Sequence, residues 1–196
     1  MRARESRARK QRARRLRGRL LPALLLGASL FLTERVWSRP GRYTLEREQL
    51  VPGTRAQVFA FFIDAHNLAN ITPPWVRFEL LDLERTPLAG GTMQQYRIRW
   101  LGVPLQWESL IAEFEQNERF TDVQTSGPYR YWRHEHIFED AGDAVRVRDR
   151  LQYELPFGVL GRITHALLVR RHLDEIFAYR ARIIEEVFGT IEWNGA

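Results

Sequence analysis

Two histidines one residue apart, His134 and His136, carry the chemistry this chain most plainly offers. Between Tyr129 and Glu139, Trp132, His134, His136 and Phe138 alternate with Tyr131, Arg133, Glu135, Ile137 and Glu139. That is the period-two pattern of a strand, so both imidazoles share a face with two aromatic rings, about 7 Å apart along the chain. Three roles fit such a pair. An imidazole titrates near neutrality and could move a proton on a carbonyl substrate, with Asp149 or Glu113 orienting it. His-x-His also offers two metal ligands, but no third stands at a diagnostic spacing, and no metal is expected. The plainest role is polar lining of a cavity, or a satisfied core position. His134, His136 and Asp149 are thus the catalytic candidates, none of them assigned. His66 falls at a break between short helices and could stand at a cavity mouth. His165 and His172 lie seven apart among arginines, which predicts a solvated helix face.

Other chemistries find little support. The chain has no cysteine, which removes disulfides, thiolate nucleophiles and cysteine metal sites. No Ser-His-Asp, His-Glu-x-x-His or paired-carboxylate arrangement is visible. Gly90-Gly91 belongs to a hairpin, and no phosphate-cradling glycine pattern runs from a strand into a helix. No cofactor is expected.

The elements that must position the histidines follow from periodicity. Val145, Val147, Leu151, Tyr153 and Leu155 alternate with polar residues from Ala144 to Leu155, and Asp149 is the one polar residue on the apolar side. A helix is predicted over Arg162 to Phe188, its apolar positions recurring every three or four residues. Tyr43 to Val51 predicts an edge strand. Thr54 is placed to cap a helix over Arg55 to Asp64, and a shorter turn follows to Ile71. Further strands are predicted at Val76 to Arg85, Gly91 to Leu101, Leu105 to Glu115, Phe120 to Thr125 and Tyr129 to Glu139, joined by hairpin loops.

The 196 residues suffice for one domain with a real core. The net charge of +6 is segregated, because residues 1–19 hold ten cations against Glu5 and the remainder is mildly acidic. Leu20 to Leu32 is uncharged but too short to span a bilayer comfortably. Residues 1–40 therefore form an extension that reads as an anchor at a membrane surface through residues 1–32, an inert tail or an export signal. The domain is expected over 41–189 and a short tail over 190–196. Cytoplasmic localisation is expected, with membrane association through the extension. Nucleic acid is not an expected partner, and the oligomeric state is not indicated.

Pro73-Pro74-Trp75, Gln106-Trp107-Glu108 and the run Gly127-Pro-Tyr-Arg-Tyr-Trp-Arg-His-Glu-His-Ile-Phe-Glu139, with this order of elements, resemble the SRPBCC superfamily, the Bet v 1, START and polyketide cyclase/dehydrase group. The resemblance covers about residues 43–189. It implies an α+β helix-grip fold, in which a curved seven-stranded antiparallel sheet wraps a long C-terminal helix, with two short helices after the first strand. It also implies a deep apolar cavity, for which Trp75, Phe78, Trp107, Trp132, His134, His136, Phe138, Tyr153 and Phe177 are the expected wall. Members carry or act on lipids, quinones, hormones and polyketides, and share no catalytic set. Binding of a hydrophobic small molecule is thus the expected function, an enzyme of the cyclase or dehydratase type the alternative, and surface or nucleic-acid binding through the arginine-rich tail a third.

Overall fold

A computed structural model of the chain describes residues 41–81, 87–100 and 102–190. The three readings of residues 1–40 lie outside the described residues, as do residues 191–196. Strand β1 (Arg42–Pro52) leads into two short helices, α1 (Arg55–Ile63) and α2 (Ala65–Asn70). A single 3-10 turn (Pro74–Val76) follows, then β2 (Glu79–Leu80), β3 (Met93–Trp100), β4 (Val103–Glu115), β5 (Arg119–Ser126), β6 (Tyr131–Ala141) and β7 (Ala144–Glu154). The chain ends in α3 (Gly158–Thr164), one π-helical turn (His165–Val169) and α4 (Arg170–Phe188). Among the described residues no helix is long and apolar enough to cross a membrane.

The seven strands form one antiparallel sheet in the order β1-β7-β6-β5-β4-β3-β2. Strands β2 to β7 follow one another as a meander, while β1 pairs with β7, so that β1 and β2 are the edges. The sheet is curved around the C-terminal helix in the helix-grip manner. Thr54 opens α1 with a capping box, its hydroxyl accepting from the Gln57 amide while the Gln57 side chain accepts from the Thr54 amide.

Two differences from the sequence expectations have local causes. The strand expected from Val76 to Arg85 is only two residues long among the described ones, because Pro73-Pro74 sets a 3-10 turn that keeps Val76 and Arg77 out of the sheet. The long helix starts at Gly158, earlier than Arg162. Gly161 is a packing requirement inside the first helical turn, where a Cβ would lie 2.2 Å from the Pro156 carbonyl oxygen.

Two apolar clusters fill the space between sheet and helices. Phe59, Phe62, Phe120, Phe138, Val145, Val147 and Ile184 form one beneath α1. Leu151, Tyr153, Val169, Leu173 and Phe177 form the other beneath the C-terminal helix. Both α4 and β7 contribute to each, so burial of apolar area fastens the helix along the sheet. His134 packs on Phe177 at 5.6 Å and His136 on Phe120 at 4.3 Å between ring centroids, which puts the histidine pair where the two clusters meet.

Candidate functional site

Strand register builds the site. On β6, His134 and His136 pair with Leu151 and Asp149 of β7 on one side, and with Asp122 and Phe120 of β5 on the other. Alternation turns His134, His136 and Asp149 to the buried face, where they are 5%, 6% and 7% exposed. Their rings do not keep the 7 Å spacing of the backbone. The centroids converge to 3.9 Å, because one carboxylate oxygen, Asp149 Oδ1, stands 2.8 Å from His134 Nε2 and 2.9 Å from His136 Nδ1. The His134 contact is a hydrogen bond, while His136 Nδ1 is close but out of line for one. Across the rings, Asp122 Oδ1 lies 3.6 Å from His134 Nδ1 and 3.4 Å from His136 Nε2. Trp132 Nε1 donates to the other Asp122 oxygen, Oδ2, at 3.2 Å. From α4, Arg180 Nη1 comes within 3.5 Å of Asp149 Oδ1.

Charge is distributed unevenly over this tetrad. Burial would raise both carboxyls, but the two histidines outweigh it, holding Asp122 below its ordinary range and Asp149 well below. Burial lowers the His134 pKa, and the charge of His136 lowers it further, beyond what Asp149 restores. For His136 the two aspartates overcome burial and raise the pKa. Of the two rings, His136 is thus the one whose charged form the carboxylates favour, and Arg180 adds a cation beside Asp149.

Two adjoining cavities open beside it. The smaller, about 160 Å³, is lined by Phe62, Phe78, Gln94, Tyr96, Asp122, His134, His136 and Arg180 among others. The larger, about 760 Å³, is mainly apolar, with Trp100, Leu105, Tyr129, Leu155, Leu160, Leu173 and Ile176 in its wall. Val76, Ile98, Trp107 and Trp132 line both and divide one from the other. Gln94 is 3% exposed and its Nε2 has no hydrogen-bond partner among the described residues; the same holds for Arg180 Nε. Two residues that line the smaller cavity, Gln94 and Arg180, therefore each carry an unmet donor, in a protein interior where such groups are ordinarily paired.

The expected wall residues divide. Trp107 and Trp132 separate the cavities, and Phe78, His134 and His136 line the smaller one. Trp75, Phe138, Tyr153 and Phe177 line neither. Trp75 is half exposed against Tyr179, while Phe138, Tyr153 and Phe177 are buried in the two apolar clusters. Glu113 is not an orienting partner, since it pairs with Arg133 and Thr121 away from the tetrad. His66 is exposed and bonded to Asp64, away from the cavity walls.

His165 is a correction. It is not on a solvated face but buried, stacked on Tyr43 at 3.4 Å and within 2.9 Å of the Tyr153 hydroxyl. The π-helical turn at His165–Val169 turns it toward the sheet, while His172 lines the larger cavity. Sequence reasoning missed Asp122, Gln94 and Arg180. The only available signal for Asp122 was its place on the strand preceding the histidines, two positions from Phe120 on the same face.

A curved antiparallel sheet closed over a long C-terminal helix, with a cavity between them, gives this chain the helix-grip fold shared by START and Bet v 1-like structures. The chain belongs to the family described as domain of unknown function DUF8410, whose model matches residues 52–188. No curated protein matches it. Solved structures show the same fold. A protein of Thermus thermophilus is 19% identical, with a TM-score of 0.55, covering 74% of this chain and 95% of that one. A START superfamily protein from Mycobacterium smegmatis is 12% identical with a TM-score of 0.57, over 75% and 99%. Major latex-like protein 151 of Panax ginseng is 13% identical with a TM-score of 0.56, over 75% and 97%.

Proposed function

We propose that the protein binds a hydrophobic small molecule that carries an oxygen function at one end, a lipid, isoprenoid, quinone or polyketide-like compound. The observation that carries this is the pairing of a large apolar cavity with a smaller one lined by two residues with unmet donors, Gln94 at Nε2 and Arg180 at Nε. The apolar body would fill the larger space, gaining about 25 cal/mol for each Å² removed from water. A carbonyl or carboxylate oxygen would accept from the buried donors, which are costly to leave unpaired. Sites of this composition, apolar with a few convergent polar groups, are typical of small-ligand pockets.

The test is tryptophan fluorescence. Trp107 and Trp132 stand between the cavities, so a bound quinone or long-chain keto compound should quench emission in a saturable, one-to-one manner. Gln94→Ala should weaken binding of the oxygenated compound without affecting its plain hydrocarbon analogue. Equal affinities of the parent protein for both would remove the polar end from the account, and no saturable binding would remove the function. A cyclase or dehydratase would do its chemistry at the same tetrad. A ligand consumed in a manner dependent on His134 and His136 would replace binding by turnover.

A further inference from the structure

The histidine pair and its two carboxylates are arranged as ligands and support of a metal site. Asp149 lies on one side of both rings, so it takes the N–H of His134 at Nε2 and sits against His136 at Nδ1. With those nitrogens turned to Asp149, His134 Nδ1 and His136 Nε2 face Asp122 Oδ1 on the other side. Three atoms that can each act as a metal ligand then converge on one point, where a cation would take the place of the proton between His136 and Asp122. Their separations from Asp122 Oδ1 of 3.4 and 3.6 Å are long for hydrogen bonds. They are close to the roughly 3.3 Å between neighbouring ligands on a tetrahedral ion with bonds of about 2.0–2.1 Å. One ligand atom from each of Asp122, His134 and His136 falls within a sphere of mutual distances of 4.8 Å, so a small inward shift completes the set.

The outer groups fit the same role. Metal-bound imidazoles donate their other N–H to a carboxylate, which fixes ring orientation, and Asp149 is placed to serve both rings. Trp132 Nε1 occupies Asp122 Oδ2, holding that carboxylate with Oδ1 toward the histidines. Two imidazoles and one carboxylate suit a borderline divalent ion and not calcium or magnesium, which take oxygen ligands. All three ligands also line the smaller cavity, where a further coordination position would face Gln94.

We propose that Asp122, His134 and His136 bind a divalent first-row transition-metal ion, with Zn²⁺ as the type, and that Asp149 is the shared carboxylate positioning both rings. The site goes beyond the ligand-binding function and does not depend on it.

The experiment titrates the untagged full-length protein, stripped with a chelator, with Zn²⁺ alone by calorimetry, and with Co²⁺ followed by its visible spectrum. One ion per chain is expected, with Asp122→Asn and His136→Gln each weakening affinity on the order of 100-fold or more and Asp149→Asn about 10- to 100-fold. Absence of stoichiometric binding, or an affinity unchanged in folded Asp122→Asn, overturns the site. Should the variants not fold, imidazole nitrogen resonances of the parent protein decide. Zn²⁺ must shift those of His134 and His136, and a shift confined to His66 or His172 overturns the site. No hydrophobic compound is present, so failure here leaves the cavity function standing, and failure of quenching leaves the metal site standing.

Discussion

Asp149 Oδ1 stands 2.8 Å from His134 Nε2, a hydrogen bond buried between β6 and β7. The same oxygen also meets His136 and Arg180, so a single carboxylate neutralises one wall of the site. Removing it leaves buried positive charge without a partner, which costs about 3–5 kcal/mol in comparable cases. Asp149→Ala is therefore expected to lower unfolding stability by that amount in urea. Glu113→Ala, at an exposed pair with Arg133, should change it by about 1 kcal/mol or less. Equal effects of the two would contradict a charge-balanced interior.

Gly161→Ala probes the joint between β7 and the C-terminal helix. A Cβ there meets a backbone oxygen at 2.2 Å, which no side-chain motion relieves. Overpacking of this kind costs about 1–3 kcal/mol. The thermal midpoint should fall, and an unchanged midpoint would mean that α3 is not held against Pro156.

His165 predicts an acid-side loss of stability. Burial, and secondarily the nearby Arg170 charge, lower its pKa, and Tyr43 and Tyr153 enclose the ring. The unfolded chain protonates it near about 6.5, the folded chain only at lower pH. The stabilisation from the neutral ring is thus complete above about pH 6.5 and is lost as pH falls through the folded value. The stability difference between the parent protein and His165→Phe, measured in urea from pH 7.5 to 5, should move against the parent. A difference growing in its favour would reverse the sign.

Ile176→Trp adds bulk to the larger cavity from α4, where Ile176 is partly exposed. Ligand affinity by quenching is expected to fall at least tenfold, about 1.4 kcal/mol, with little change in unfolding stability. Unchanged affinity would move the ligand out of this cavity.

Much of this architecture is legible in residue order. The alternation in Ala144 to Leu155 and Tyr129 to Glu139 marks two strands and identifies Asp149 as the polar residue on a buried face, because a strand's period is fixed by backbone geometry. Thr54 announces its helix because capping is a local matter. The site is less legible. Asp122 joins the histidines through the β5–β6 register, and β4–β5 carries two register shifts, near Glu108 and Ile111, that no local pattern announces. Arg180 reads as one more solvated arginine until α4 is laid on the sheet. His165 misleads because seven-residue spacing places it with His172 only on a regular helix, and a π-helical turn intervenes.

The most direct measurement is native mass spectrometry with organic extraction on full-length protein purified from its own host. The account predicts a one-to-one adduct with a hydrophobic, oxygen-bearing molecule, reduced in Ile176→Trp. Protein free of any such molecule, which also fails to take up lipid, isoprenoid, quinone or polyketide probes, would contradict it.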